Sequence, residues 1–212
     1  QGAISVGGAS PELPDSRVLL VAGRLARLDP AEWQPFVAAD AAAPVLPLKI
    51  DLTVDEVDVA GWLLHDVNMQ IQSAGLAREI KVNGPSIAGD IQLQDSGGRL
   101  QRVVMNLNKL KLQPPEPDQS REPLELSPAD MPDLQVAVRN LVYDRAALGS
   151  FEMLAEKQTN DSLVIKRLSL SSSALKLNLT GDWKQIDGKQ WSTVDMVISD
   201  GDMEKLLEMF GY

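Results

Sequence analysis

The chain has 212 residues, a formal net charge of -10 and no cysteine, with 44% hydrophobic residues but only 4% aromatic ones. The charge argues against a nucleic-acid partner, because a phosphate backbone needs a concentrated basic surface, and it disfavours plain electrostatic adsorption to anionic head groups. Without cysteine there is neither a disulfide framework nor a thiolate metal site, and apolar faces so poor in aromatics are aliphatic, which suits acyl chains better than sugars or bases.

From the N-terminus, Ile4 opens a first strand set, and Gly7-Gly8 lacks the Gly-Lys-Ser/Thr ending of a phosphate loop. Asp29 as N-cap and Pro30 at the first helical position predict a short helix over about 30–38 bearing Glu32, Trp33 and Phe36, weakened by Pro35. Strict apolar–polar alternation then runs through Leu48, Ile50, Leu52 and Val54, through Val67, Met69 and Ile71, through Ile91 and Leu93, and through Met105 and Leu107. Period two predicts half-buried strands. Asn83-Gly84 and Gly97-Gly98 between these runs predict tight meander turns.

Residues 113–133 carry Pro114, Pro115, Pro117, Pro123, Pro128 and Pro132 among acidic and polar residues. They cannot form a central strand or a helix, so they read as a long loop or crossing segment between a strand set in 1–112 and another in 134–212. The second set alternates through Leu134, Val136 and Val138, through Leu175, Leu177 and Leu179, and through Val194, Met196 and Ile198, with a turn at Asp187-Gly188. Asp200 or Asp202, then Met203, Leu206, Leu207 and Phe210, with Gly211 behind them, predict a closing helix at about 200–210. A strand followed by a capping helix thus occurs twice, as in a modular array. The start at Gln1 and the end just past this helix suggest a piece of a longer chain.

The fold class is therefore all-β, mainly antiparallel, with about a dozen strands and two short helices. Two helices cannot cover a dozen apolar strand faces. Those faces pack on each other as a sandwich, close as a barrel, or curl into a groove that holds something else. Parity changes between Val54 and Val57, around Asn108 and Lys109, and around Arg139 and Asn140 mark bulges, and bulges bend a sheet.

Catalytic chemistry finds little support. His65 is the lone histidine, the cluster Asp51, Asp55, Glu56 and Asp58 falls on a solvent face or at a bulge, and Ser169 to Ser173 contains no nucleophile elbow. Asn160-Asp161-Ser162 and Asn178-Leu179-Thr180 match the glycosylation pattern, which is short enough to arise by chance. The expectation is a protein that is not an enzyme and needs no metal or cofactor.

Several segments carry a family resemblance. They are Gly23-Arg24-Leu25 with Asp29-Pro30-Ala31-Glu32-Trp33, Pro85-Ser86-Ile87-Ala88-Gly89-Asp90-Ile91, Pro128-Ala129-Asp130-Met131-Pro132-Asp133-Leu134, Leu148-Gly149-Ser150-Phe151, Leu168-Ser169-Leu170, Gly181-Asp182-Trp183 and the terminal Gly211-Tyr212. In order and spacing they resemble the AsmA-like envelope proteins of Gram-negative bacteria, specifically the YhdP-like branch. The resemblance implies an elongated, curled sheet with a hydrophobic groove and a role in moving phospholipid between inner and outer membranes. It also implies a periplasmic location, an inner-membrane anchor outside this sequence and flanking modules of the same longer chain. The lipid-contact face would then be Leu52, Val54, Met69, Ile71, Ile91, Leu93, Met105, Leu107, Val136, Val138, Leu177, Leu179, Met196 and Ile198. The competing expectation is a structural or protein-binding β-sandwich module with a closed aliphatic core.

Overall fold

The computed structural model describes residues 2–8, 18–29, 47–59, 61–74, 77–96, 99–114, 126–199 and 201–202. Nearly all of them are strand: β1 (Gly2–Val6), β2 (Leu19–Leu28), β3 (Leu48–Val59), β4 (Trp62–Ala74), β5 (Ala77–Asn83), β6 (Ile87–Ser96), β7 (Arg99–Leu112), β8 (Asp133–Tyr143), β9 (Ala146–Thr159), β10 (Ser162–Ser171), β11 (Lys176–Ile186) and β12 (Lys189–Ser199). The helices expected at about 30–38 and 200–210 lie outside the described residues, apart from Gly201 and Asp202. The helical turn that is described is a short 3-10 turn, Pro128–Asp130.

The strands form one sheet in strict sequence order, β1 to β12. Neighbours connected by tight turns pair antiparallel, as two adjacent strands joined by a few residues must. Three joints are parallel instead: β1 with β2, β2 with β3, and β7 with β8. Each coincides with a long connection, since a parallel neighbour is reached only by a chain that returns the length of the sheet. The result is two five-strand antiparallel meanders, β3–β7 and β8–β12, set side by side in one sheet across the β7–β8 joint.

Bends occur where parity slips. Inward residues are three apart at Leu25 and Leu28, Val54 and Val57, Leu64 and Val67, Leu107 and Leu110, and Val138 and Leu141, and the registers of these strands skip or shift at those places. The slips expected from the sequence at 54–57, 108–109 and 139–140 are all present. Those at 25–28 and 64–67, and a further one between Ile165 and Leu168, were not among the expected slips. Asp66 adopts φ 51 at the β3–β4 slip, a backbone that few non-glycine residues take.

The curl closes one end of the sheet. Trp62 of β4 and Tyr143 of β8 meet edge to face with ring centroids 5.9 Å apart and planes at 73°. Four strand spacings would separate β4 and β8 by about 19 Å in a flat sheet, so the contact requires the sheet to wrap. The short β5–β6 hairpin leaves room for it, because its turn at Gly84 to Ser86 stops below the ends of β4 and β7, and β4 touches β7 beyond it. Leu28, Val57, Leu64 and Ile87 are buried beneath. An edge-to-face aromatic pair adds about 1 kcal/mol to that burial.

At the opposite end the crossover from β7 comes back onto the sheet. Pro128 is fully buried, and its 3-10 turn lies against β10 and β11. Gln190 Nε2 donates to the Leu126 carbonyl at 2.8 Å, and Lys157 Nζ donates to the Ala129 carbonyl at 2.6 Å. Ser127 Oγ donates to Asp130 Oδ2 at 2.6 Å and the Ser127 backbone N–H donates to it at 3.1 Å. These two hydrogen bonds, the hydroxyl first, hold the Asp130 carboxyl below the ordinary carboxylate range. Because the folded value is depressed, this contribution to stability is present above the unfolded Asp pKa of about 3.9 and is lost as pH falls through the folded value. Ser127→Ala is expected to return Asp130 upward toward its ordinary titration, which carboxyl-carbon NMR across the acid range would follow.

Candidate functional site

In a sheet, residues directly opposite each other on neighbouring strands share a face. The register therefore shows which apolar side chains stand together. One row crosses all twelve strands: Ile4, Val21, Ile50, Ile71, Ile80, Ile91, Met105, Val136, Met153, Leu168, Leu179 and Met196. A second runs beside it: Val6, Gly23, Leu52, Met69, Val82, Gly89, Leu107, Val138, Phe151, Leu170, Leu177 and Ile198. Each row has an apolar side chain or glycine at every step, and twelve strands at the usual spacing make it about 50 Å long.

Twelve of the fourteen residues expected on the lipid-contact face lie in these two rows. Val54 and Leu93 fall in rows immediately beside them, through Val54 with Val67 and Leu93 with Val103. Their exposure differs sharply. Leu52, Val54, Leu107 and Val138 are buried, whereas Met69, Ile71, Ile91, Met105 and Val136 are partly buried and pack against the same cluster. Leu93, Leu177 and Leu179 are half-buried, and Met196 and Ile198 are each 55% exposed. One continuous apolar surface thus passes from packed interior around β3–β8 to open surface at β12. That gradient is invisible to alternation, which reports the face of a residue and not what lies over it.

The other face is polar and self-neutralising. Arg24 pairs with Asp55 at 2.6 Å and Arg27 with Asp58 at 3.1 Å along the parallel β2–β3 joint, and Gln70 donates to Asp51 at 3.4 Å. The acidic cluster at 51–58 is therefore distributed among neighbours on its own and adjacent strands. Asp55, by hydrogen bond and then by charge, raises the Arg24 pKa, although exposed pairs of this kind add little stability. His65 is exposed, opposite Glu56. A shallow depression of about 350 Å³ lies on the bend, with a largely polar rim including Asp90, Asn106, Arg139 and Glu152.

Charge is scarce on the apolar face. Register places Arg78, in phase with Ile80 and Val82, and Asp95, in phase with Ile91 and Leu93, on that face, where they form an ion pair. Lys157, in phase with Met153 and Ala155, is the third charge there among the described residues. All three stand at the end opposite the Trp62–Tyr143 closure. The Arg78 and Asp95 side chains are each only 18% exposed, and burial lowers the Arg78 pKa. Sequence reasoning passed over this pair, although a charge in phase with an aliphatic run was a readable signal.

Compared with models of known protein families, the chain matches the one described as YhdP protein over residues 1–212. It belongs to the YhdP family. Neither a curated protein nor a solved structure matches the chain. No helix among the described residues of this YhdP-family chain is long and apolar enough to cross a membrane.

Proposed function

We propose that this chain is a segment of a hydrophobic conduit that shields acyl chains while phospholipid moves between the inner and outer membranes. The observation that carries the reading is the pair of unbroken apolar rows, buried in the middle strands and open at β12. A core built only for stability would bury its large aliphatic residues, yet Val194, Met196 and Ile198 stand 52%, 55% and 55% exposed on the same face as Leu107. Exposed apolar strips of this continuity mark sites of association. Membership of a family of lipid-transport-related envelope proteins supports the same reading.

The energetics fit carriage rather than capture. Each methylene removed from water contributes about 0.8 kcal/mol, so a fifteen-carbon tail gains about 12 kcal/mol on such a wall. A bilayer offers the tail nearly the same, so lipid moves with a small net change while avoiding the aqueous barrier. In this reading the segment is periplasmic, anchored to the inner membrane through sequence outside these residues, and continuous with flanking modules of the same longer chain. Its ligands are acyl chains, it meets either membrane only indirectly, and it carries no catalytic group. The sandwich alternative needs two packed sheets, and the described strands form one.

The test is purification of the chain without detergent, followed by native mass spectrometry and lipid extraction. Co-purifying phospholipid is the expected result. A compact, stably folded monomer free of lipid would overturn the proposal.

A further inference from the structure

Arg78 and Asp95 are a poor investment for stability alone. Removing two charges from water costs more than a surface pair returns, and apolar residues of similar volume at such positions are often as stable or more so. Yet this wall, aliphatic across its central rows, holds the pair at one end only. The third charge on the face, Lys157, is already committed to the Ala129 carbonyl of the crossover. The closed end has no counterpart in its described core, which is Leu28, Val57, Leu64 and Ile87 beneath Trp62 and Tyr143. The face is therefore polar at one end and apolar at the other, the same order as an extended phospholipid.

Building on the conduit reading, we infer that the Arg78–Asp95 pair is a head-group site selecting zwitterionic phospholipids, with phosphate on Arg78, ammonium on Asp95 and tails toward the Trp62–Tyr143 end. The guanidinium presents a planar fork matched to phosphate oxygens. The carboxylate accepts from an ammonium. A zwitterionic head group exchanges one ion pair for two, so neither protein charge is left buried and unpaired. An anionic head group with no cation satisfies Arg78 but sets a second negative charge against Asp95, on a chain whose net charge is already -10. Selection thus comes from repulsion of the wrong ligand as well as attraction of the right one.

The experiment incubates the full 212-residue chain with vesicles of equal parts phosphatidylethanolamine and phosphatidylglycerol, recovers it without detergent and quantifies the extracted lipid. Wild type is expected to retain phosphatidylethanolamine over phosphatidylglycerol in a ratio of about five to one. Asp95→Asn is expected to abolish or invert that preference. Because it leaves Arg78 without its partner, the double variant Arg78→Leu/Asp95→Leu provides a folded control, expected to hold lipid in the vesicle ratio. Wild type that retains both lipids indiscriminately, or a double variant with unchanged preference, overturns the head-group site and leaves the conduit reading standing. Wild type that retains no lipid overturns both.

Discussion

Leu107→Asp is expected to prevent folding, whereas Leu177→Asp gives a folded chain that retains much less lipid. The two residues belong to the same apolar row and were interchangeable by alternation alone. Leu107 is only 3% exposed, with Gly89 on one neighbouring strand and Val138, itself 3% exposed, on the other. A carboxylate there would stand in the buried apolar cluster, while Arg78, on the same face, is held by Asp95 at its far end. The cost is about 4 kcal/mol or more, a large part of the stability of a domain this size. Leu177 is half-buried and lies between Leu170 and Ile198, the latter 55% exposed. Its carboxylate reaches water, so the cost to folding is about 1 kcal/mol. The charge nevertheless stands on the apolar face that a moving tail has to pass over. Urea unfolding and lipid extraction of the two variants check the contrast. Unfolding of Leu177→Asp would place the β10–β12 wall inside a closed core and sink the open groove.

Gly89→Ala is expected to lower the unfolding free energy by about 3 kcal/mol. Gly89 has φ 150, and a Cβ built on it would collide with the Asn106 carbonyl oxygen and lie 2.6 Å from the Leu107 Cα. The missing side chain is what lets Leu107 occupy the row opposite it, so the glycine is part of the packing of the curled wall. Gly188 in the β11–β12 turn separates the two causes. Its φ of 74 also favours glycine, but a Cβ there meets nothing within 4 Å, and Gly188→Ala is expected to cost about 1 kcal/mol. Denaturant midpoints at unchanged m-value read the difference. Equal losses at the two positions would mean that backbone conformation, rather than the crowded wall, sets the cost.

The sheet was legible before any coordinates because its information is local. Leu134, Val136 and Val138 announce a strand and its inward face from period two alone, and the three-residue steps at 54–57 and at 107–110 announce the bends. The parallel joints were less legible. The proline-rich stretch at 113–133 showed that the chain breaks off there, but a sequence does not say whether the next strand lies alongside or begins a second layer. Arg78 and Asp95 were passed over for a related reason. They lie seventeen residues apart on different strands, and only register brings them together.

By itself, the sequence determined the all-β class, the aliphatic face and half of the parity slips that bend it, because each follows from the order of neighbouring side chains along one strand. Only the tertiary structure decided that the strands make one sheet rather than two, that Trp62 meets Tyr143 to close one end, and that Leu107 is interior while Met196 is surface. Those depend on how far twelve strands curl, a sum of small twists and bulges that no single segment encodes. Exposure on such a sheet is set by what the curl brings overhead, and that is a property of the whole wall.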